Sequence, residues 1–387
     1  MAHKIIMLGG RRSGKSSILA SILYALDQKT DGSLFTVVDQ TQYSSNVNEA
    51  VAVRLSEKRH EINSYLKNMK GMGVNNSFLV DMSPSKGKSV YEIQMKINGA
   101  SPVTFSFVDV PGEKMEDGKN EEVVAQLKEC DVYIIAIDTP YMMQEDDDIN
   151  EVYNRVEEIT SMMTRDEVCG SIYNRKMIIF CPVKCEKWIR EGRGEEVAGK
   201  VCKAYRTLIN TLVNEGSFDF MIMPIQTVGG IEHVKLLDGK RCFKSGNDTI
   251  GEKCSVNEIT GQVMFKDGKI GDADNYHIEE DPELIINSVR IPLSWYKTNG
   301  VGFSPKDSEQ PAYHIVKFLV EKEKALVEKQ IEENATRSWL AKLIGFFIDP
   351  PFGQYLDAYN KVVEQLISKD MIKVSGDGFK KIVTTIP

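Results

Sequence analysis

The residues with the most chemistry in their spacing lie near the start of the chain. Gly9-Gly10-Arg11-Arg12-Ser13-Gly14-Lys15-Ser16-Ser17 spells G-x-x-x-x-G-K-S, behind the apolar run Ile5-Ile6-Met7-Leu8 and ahead of Ile18, Leu19, Ile22 and Leu23. Glycines at both ends let the chain turn tightly, so that consecutive N–H groups face inward onto phosphate oxygens. The helix that follows adds the positive end of its dipole. Lys15 sets a point charge against β- and γ-phosphates, and the Ser16 hydroxyl suits the Mg2+ that bridges them. Strand, loop and helix signals all agree with the motif, which is the context a phosphate-binding loop requires.

A second group, Asp109-Val110-Pro111-Gly112-Glu113, follows an apolar run over 103–108. A carboxylate at the end of a strand is where a phosphate-loop protein places the residue on the far side of its metal. The Gly112 N–H is then placed to sense a γ-phosphate. The elements that must position these groups are legible too. Tyr91, Ile93, Met95 and Ile97 alternate with polar residues, and Asn98-Gly99 is a favoured turn, so a hairpin delivers Asp109.

Together, Gly-Gly-Arg-Arg-Ser-Gly-Lys-Ser and Asp-Val-Pro-Gly-Glu resemble the Ras-like GTPases of the TRAFAC class. They are similar in particular to bacterial GTPases encoded in conflict or signalling gene systems. The resemblance implies an α/β, Ras-like P-loop NTPase fold: a mostly parallel sheet with one antiparallel strand and helices on both faces. It implies GTP as substrate, GDP as product and Mg2+ as cofactor. It also implies a protein effector or partner subunit.

The later elements are read in turn. A buried strand ends at Asp138, and Ile149, Val152, Val156 and Ile159 mark one helical face. After the strand at 177–181, family members carry N-K-x-D, whose lysine covers the base and whose carboxylate accepts from guanine. This chain has Val183-Lys184-Cys185-Glu186, so the asparagine that ties this loop to the phosphate loop is missing. Glu186 keeps the acceptor that distinguishes guanine from adenine, one methylene longer; the alternative is a surface Lys/Glu pair. Gln226 and Thr227 stand where the family's last base-contacting loop lies.

Two positions bear on hydrolysis. Glu113 occupies the place of the water-orienting glutamine of Ras-like switches. Arg12 resembles the loop arginine that guanylate-binding large GTPases use as an internal finger once they dimerise; the alternative is that Arg11 and Arg12 face solvent or pair with nearby acids. Thr36, Thr41, Ser77, Ser83 and Ser85 all fall in the interval where a metal-binding switch hydroxyl belongs, and the spacing does not choose among them.

The 387 residues are 42% hydrophobic and 27% charged with a net charge of −8, a balance that suits a globular protein and argues against sequence-specific nucleic-acid binding. Seven scattered cysteines without CxxC spacing predict reduced thiols, a cytoplasmic setting and neither a zinc site nor a disulfide framework. No apolar run is long enough to span a membrane.

The predicted organisation is a GTPase core over 1–232 with an inserted amphipathic helix near 46–70, a β-rich insertion over 233–310, a last core helix over 311–335, and a helical extension over 336–387. An apolar cluster over 339–348 suits packing, a partner groove or a peripheral membrane contact. Three functions are carried forward: a GTP-hydrolysing switch, a nucleotide-binding regulatory or assembly module with little turnover, and an ATPase whose base loop is not selective.

Overall fold

The computed structural model describes residues 2–28, 35–38, 78–79, 89–97, 103–115, 120–169, 175–214, 218–244, 247–257, 260–266, 269–286, 288–336, 360–361, 363–368 and 370–382. Along the chain, β1 (Ala2–Leu8) leads into α1 (Lys15–Gln28), followed by β2 (Phe35–Val38), β3 (Phe78–Leu79), β4 (Ser89–Ile97) and β5 (Val103–Asp109). Next come α2 (Glu121–Glu129), β6 (Val132–Asp138), α3 (Thr139–Met142), α4 (Asp147–Asn154), α5 (Val156–Met163) and α6 (Asp166–Cys169). β7 (Lys176–Val183) precedes α7 (Glu186–Arg190), α8 (Gly194–Ala204), α9 (Arg206–Asn214) and β8 (Phe218–Ile222).

The insertion contains β9 (Ile231–Leu237), β10 (Lys240–Lys244), β11 (Asn247–Asn257), β12 (Gln262–Phe265), β13 (Ile270–Asp272), β14 (Tyr276–Glu280), β15 (Ile285–Ile286), β16 (Val289–Arg290) and β17 (Leu293–Thr298). The chain then forms α10 (Gln310–Thr336) and the terminal pair β18 (Ser375–Gly376) and β19 (Phe379–Ile382).

The main sheet has the order β18-β19-β8-β7-β6-β1-β5-β4-β2. The strands β5, β1, β6, β7 and β8 run parallel, and β4 pairs antiparallel with β5. Alternation along the strands explains why both faces are covered. Ile5 and Met7 of β1 pack with Ile18, Leu19 and Ile22 of α1 and with Ile315, Val316 and Leu319 of α10, whereas Ile6 and Leu8 face the core shared with α2, α5, α8 and α9. The opposite margin carries a second antiparallel strand, β19 on β8, built from the extension read as helical.

One predicted helix is broken in two. The face through Ile149, Val152, Val156 and Ile159 is interrupted at Arg155, whose φ of 57° is left-handed, and buried Asn150 and Asn154 take the inward places on α4. Apolar periodicity continued across the break because the residues that turn inward before it are polar.

The insertion forms a five-stranded sheet in the order β13-β12-β11-β10-β14, and its β17 pairs with β9 and with β3 from the first part of the chain in a three-stranded sheet, β3-β17-β9. Cys242 and Cys254 form a disulfide between β10 and β11, which corrects the expectation of thiols reduced throughout and no disulfide. Their twelve-residue separation looks irregular in sequence, yet hairpin pairing brings the two strands together. The predicted helix at 46–70 and the apolar cluster at 339–348 lie outside the described residues, as do Thr41, Ser77, Ser83 and Ser85. Among the described residues no helix is long and apolar enough to cross a membrane.

Candidate functional site

β1 ends against β6, and the chain turns there at Gly9 with φ +140°. A Cβ on Gly9 would lie 2.6 Å from the Ala136 carbonyl oxygen and 2.7 Å from Ser13 Oγ, so no larger residue fits. Arg12 and Gly14 are also left-handed, at 62° and 98°. This geometry closes the loop onto Lys15, whose Nζ donates to Gly9 O at 2.9 Å and Gly10 O at 3.1 Å. Lys15 is 7% exposed; burial pushes its ammonium below the ordinary lysine range, and the nearby Asp109 carboxylate pulls the other way.

The parallel register of β1 and β5 pairs Met7 with Asp109 and so carries the carboxylate to the loop. Ser16 Oγ donates to Asp109 Oδ2 at 2.9 Å. Two hard oxygen ligands thus meet beside a buried ammonium, which is the donor chemistry Mg2+ takes, and the residues fit that ion. Ser13 Oγ is fully buried with no hydrogen-bond partner among the described residues. Gly112 opens a short 3-10 turn, Gly112–Met115, and packs on the phosphate loop so closely that a Cβ on it would lie 2.3 Å from the Arg11 backbone nitrogen. Ser17 is half-buried on α1.

Glu113 is 63% exposed in its side chain and lies 3.6 Å from Arg11 Nε. Arg12 is half-buried, and its carbonyl accepts Lys184 Nζ at 3.2 Å. Of the two loop arginines, therefore, Arg11 holds Glu113 and Arg12 meets Lys184 through its backbone.

Just after β7, Lys184 sits in the left-handed region at φ 57° and forms an ion pair with Asp138, which is fully buried at the end of β6. Burial, the largest single influence, pushes the Lys184 ammonium down, but the Asp138 charge and hydrogen bond together with Tyr296 and Tyr153 outweigh it, and the net direction is up. Glu186 is no surface residue: it is 7% exposed, and its Oε1 accepts the Gly229 N–H at 3.3 Å. Burial raises its carboxyl to about 7, opposed by backbone N–H groups of Glu186, Gly229 and Val228.

Glu186 lines a cavity of about 710 Å³ with Tyr24 and Ala25 of α1, Gln226, Gly229 and Asn299. The Gln226 loop is held by the end of the insertion: Gln226 N donates to Lys306 O at 3.1 Å, Lys306 N returns a bond to Gln226 O at 3.0 Å, and Asn299 Nδ2 donates to Gly229 O at 2.7 Å. Thr227 is buried. The fold thus brings Gly9–Ser17 together with Asp109, Gly112 and Glu113, and joins them to Lys184 through the Arg12 carbonyl, while Glu186 and Gln226 share the adjoining cavity. Asp138, Tyr24, Asn299 and Lys306 were not singled out from sequence. Only Asp138 had a signal there, as a charge ending a wholly apolar strand.

No protein-family model matches the chain, and no curated protein does. Solved structures do. The Ski7 GTPase-like domain of S. cerevisiae bound to GTP is similar at 12% identity and a TM-score of 0.32, over 79% of this chain and 72% of that one. The LeoA bacterial dynamin GTPase from ETEC is similar at 14% identity and a TM-score of 0.28, over 59% of this chain and 30% of that one. The signal recognition particle receptor SRb-GTP/SRX complex from Chaetomium thermophilum gives 10% identity and a TM-score of 0.33, over 58% of this chain and 94% of that one.

Proposed function

We propose that this chain binds guanine nucleotide with Mg2+ and hydrolyses GTP to GDP and phosphate, acting as a molecular switch toward a protein effector or partner subunit. The observation that carries this reading is the Ser16–Asp109 contact at 2.9 Å beside the buried Lys15, inside a loop whose backbone is shaped by Gly9 and Gly14. Ser16 and Asp109 hold the metal, and Lys15 faces the β- and γ-phosphates. A bound Mg2+ supplies charge neutralisation on the transferring phosphoryl group. Gly112 N–H reports the γ-phosphate because its turn is packed directly on the loop, so a shift on one side moves the other. Glu186 accepts from the guanine edge, with Lys184 and Gln226 alongside.

For turnover, Arg12 stabilises charge as the phosphoryl group leaves, and Glu113 holds the attacking water. A second reading, a regulatory module with little turnover, is favoured by one observation: Glu113 stands exposed against Arg11 rather than in a buried site. Titration calorimetry with GTP, GDP and ATP in magnesium, with phosphate release measured in parallel, decides among the readings. Guanine-selective binding with slow phosphate release supports the switch. Equal affinity for ATP removes the role given to Glu186, and tight GTP binding without release leaves the regulatory module.

A further inference from the structure

Lys184 is the side chain that joins the base-side loop to the phosphate loop, and what holds it in place lies outside both. Its ammonium meets the Asp138 carboxylate at the end of β6 and the Arg12 carbonyl at 3.2 Å. Asp138 is itself pinned through its backbone: its N–H donates to Asn154 Oδ1 at 2.8 Å, Asn154 Nδ2 returns a bond to the Asp138 carbonyl at 3.3 Å, and Asn150 Oδ1 accepts from the same amide at 2.9 Å. The left-handed break at Arg155 directly follows Asn154 at the end of this brace.

The insertion closes over the pair. Tyr296 of β17 lies within electrostatic reach of both Lys184 and Asp138, and the Pro292 carbonyl accepts the Tyr141 hydroxyl at 2.9 Å. Tyr141 in turn stacks on Tyr153 at 3.8 Å between ring centroids. Water is excluded from Asp138 altogether, so its charge acts on Lys184 at short range and low dielectric.

We infer that Asp138 is a positioning residue for the nucleotide site, acting through Lys184 to hold the Arg12 peptide and hence the left-handed turn of the phosphate loop. Asp138 makes no contact with phosphate or base in this role. Its effect follows from what a buried ammonium requires: with the carboxylate gone, Lys184 stays charged only by turning toward solvent, and the Arg12 carbonyl loses its donor. The brace also supplies the tie that Val183 cannot make. The inference rests on the reading that residues 9–17 hold a nucleotide.

The test compares wild type, Asp138→Asn, Lys184→Met and the double variant by two readouts: affinity for GTP and GDP, and hydrogen exchange of the amides of residues 9–17 in the nucleotide-free protein. Asp138→Asn is expected to weaken GTP and GDP alike by roughly 10- to 100-fold, as small misplacements of a binding loop do. It is also expected to speed exchange in 9–17 while the β10–β14 sheet keeps its wild-type protection. The double variant is expected to bind no more weakly than Lys184→Met, because Asp138 acts through that lysine. Should either single variant fail to fold, the neutral pair still reports the missing tie as faster exchange and weaker binding. Wild-type exchange and affinity in Asp138→Asn, or effects that add in the double variant, overturn the inference. A wild type that binds no guanine nucleotide overturns the proposed function instead, and the exchange readout then decides on Asp138 by itself.

Discussion

The side of the candidate site proposed to take the phosphates and the side proposed to take the base are built by different means. The phosphate side comes from two short stretches, 9–17 and 109–113, at the ends of adjacent parallel strands, and its donors are largely backbone groups and two oxygen ligands 2.9 Å apart. The base side draws on β6, β7, α1, the loop after β8 and the insertion, and it depends on buried charges: Asp138 with Lys184, and Glu186 with the Gly229 amide. A contiguous loop can be specified by backbone conformation alone. An assembled pocket needs side chains from distant segments to agree in charge, which makes it sensitive to the loss of any one partner and to pH.

The sharpest way to test that contrast is to remove the side chain proposed to face the phosphates that GTP and ATP share. Lys15→Ala is expected to abolish the contribution of the phosphate side, weakening GTP, GDP and ATP by at least about 100-fold, as loss of a charge-assisted phosphate contact of roughly 3 kcal/mol does. Calorimetric titration of a variant with a wild-type thermal transition checks it; unchanged GDP affinity would sink the assignment.

Asp109→Asn should cost less and show its origin through the metal. In magnesium its GTP affinity is expected to fall about tenfold or more, to the level the wild type shows in excess chelator, and chelator should then leave the variant unchanged. A variant that keeps a full magnesium response would place the metal elsewhere.

Glu186→Gln addresses the base side alone. The preference for GTP over ATP should fall by about 10-fold or more, with the loss confined to GTP. The pH dependence has a definite sign. Because burial raises the Glu186 carboxyl to about 7, the acceptor form predominates above that pH, and the wild-type preference is expected to decline as pH falls through about 7. Competition titrations between pH 6 and 8 read this directly, and a flat profile in the wild type contradicts it.

The smallest effects concern the loop arginines, and they separate the switch from the regulatory reading. Arg11→Ala breaks an exposed pair with Glu113 and should shift stability by no more than about 1 kcal/mol. Arg12→Ala should leave GTP affinity within a few-fold of wild type, since its backbone carbonyl remains, while slowing single-turnover phosphate release by about tenfold or more. Equal release rates in wild type and Arg12→Ala would remove the finger.

The parts legible in sequence share one property: each is encoded within a few neighbouring residues. The phosphate loop, the hairpin that ends in Asp109, and the apolar strands through 132–138 and 177–181 follow from local turn chemistry and from periodicity. Glu186 and Lys184 could be located by position, but whether they were buried could not. Arg155 broke a helix whose apolar spacing ran straight through it, because the inward Asn150 and Asn154 belong to a hydrogen-bonding brace rather than to the apolar pattern. Cys242 and Cys254 looked unrelated until β10 and β11 paired.

By itself, then, the sequence determined the loop on which the proposed phosphate binding rests: glycine freedom, a lysine and a serine at fixed offsets, and a strand-end aspartate are local facts that hold in any surroundings compatible with the fold. Only the tertiary structure decided that Glu186 is buried, that Lys184 answers to Asp138, that the insertion braces the loop after β8 through Lys306 and Asn299, and that residues 379–382 add a strand to the sheet. Burial and charge pairing depend on which distant segments close over a group and exclude water, and no spacing within one segment records that.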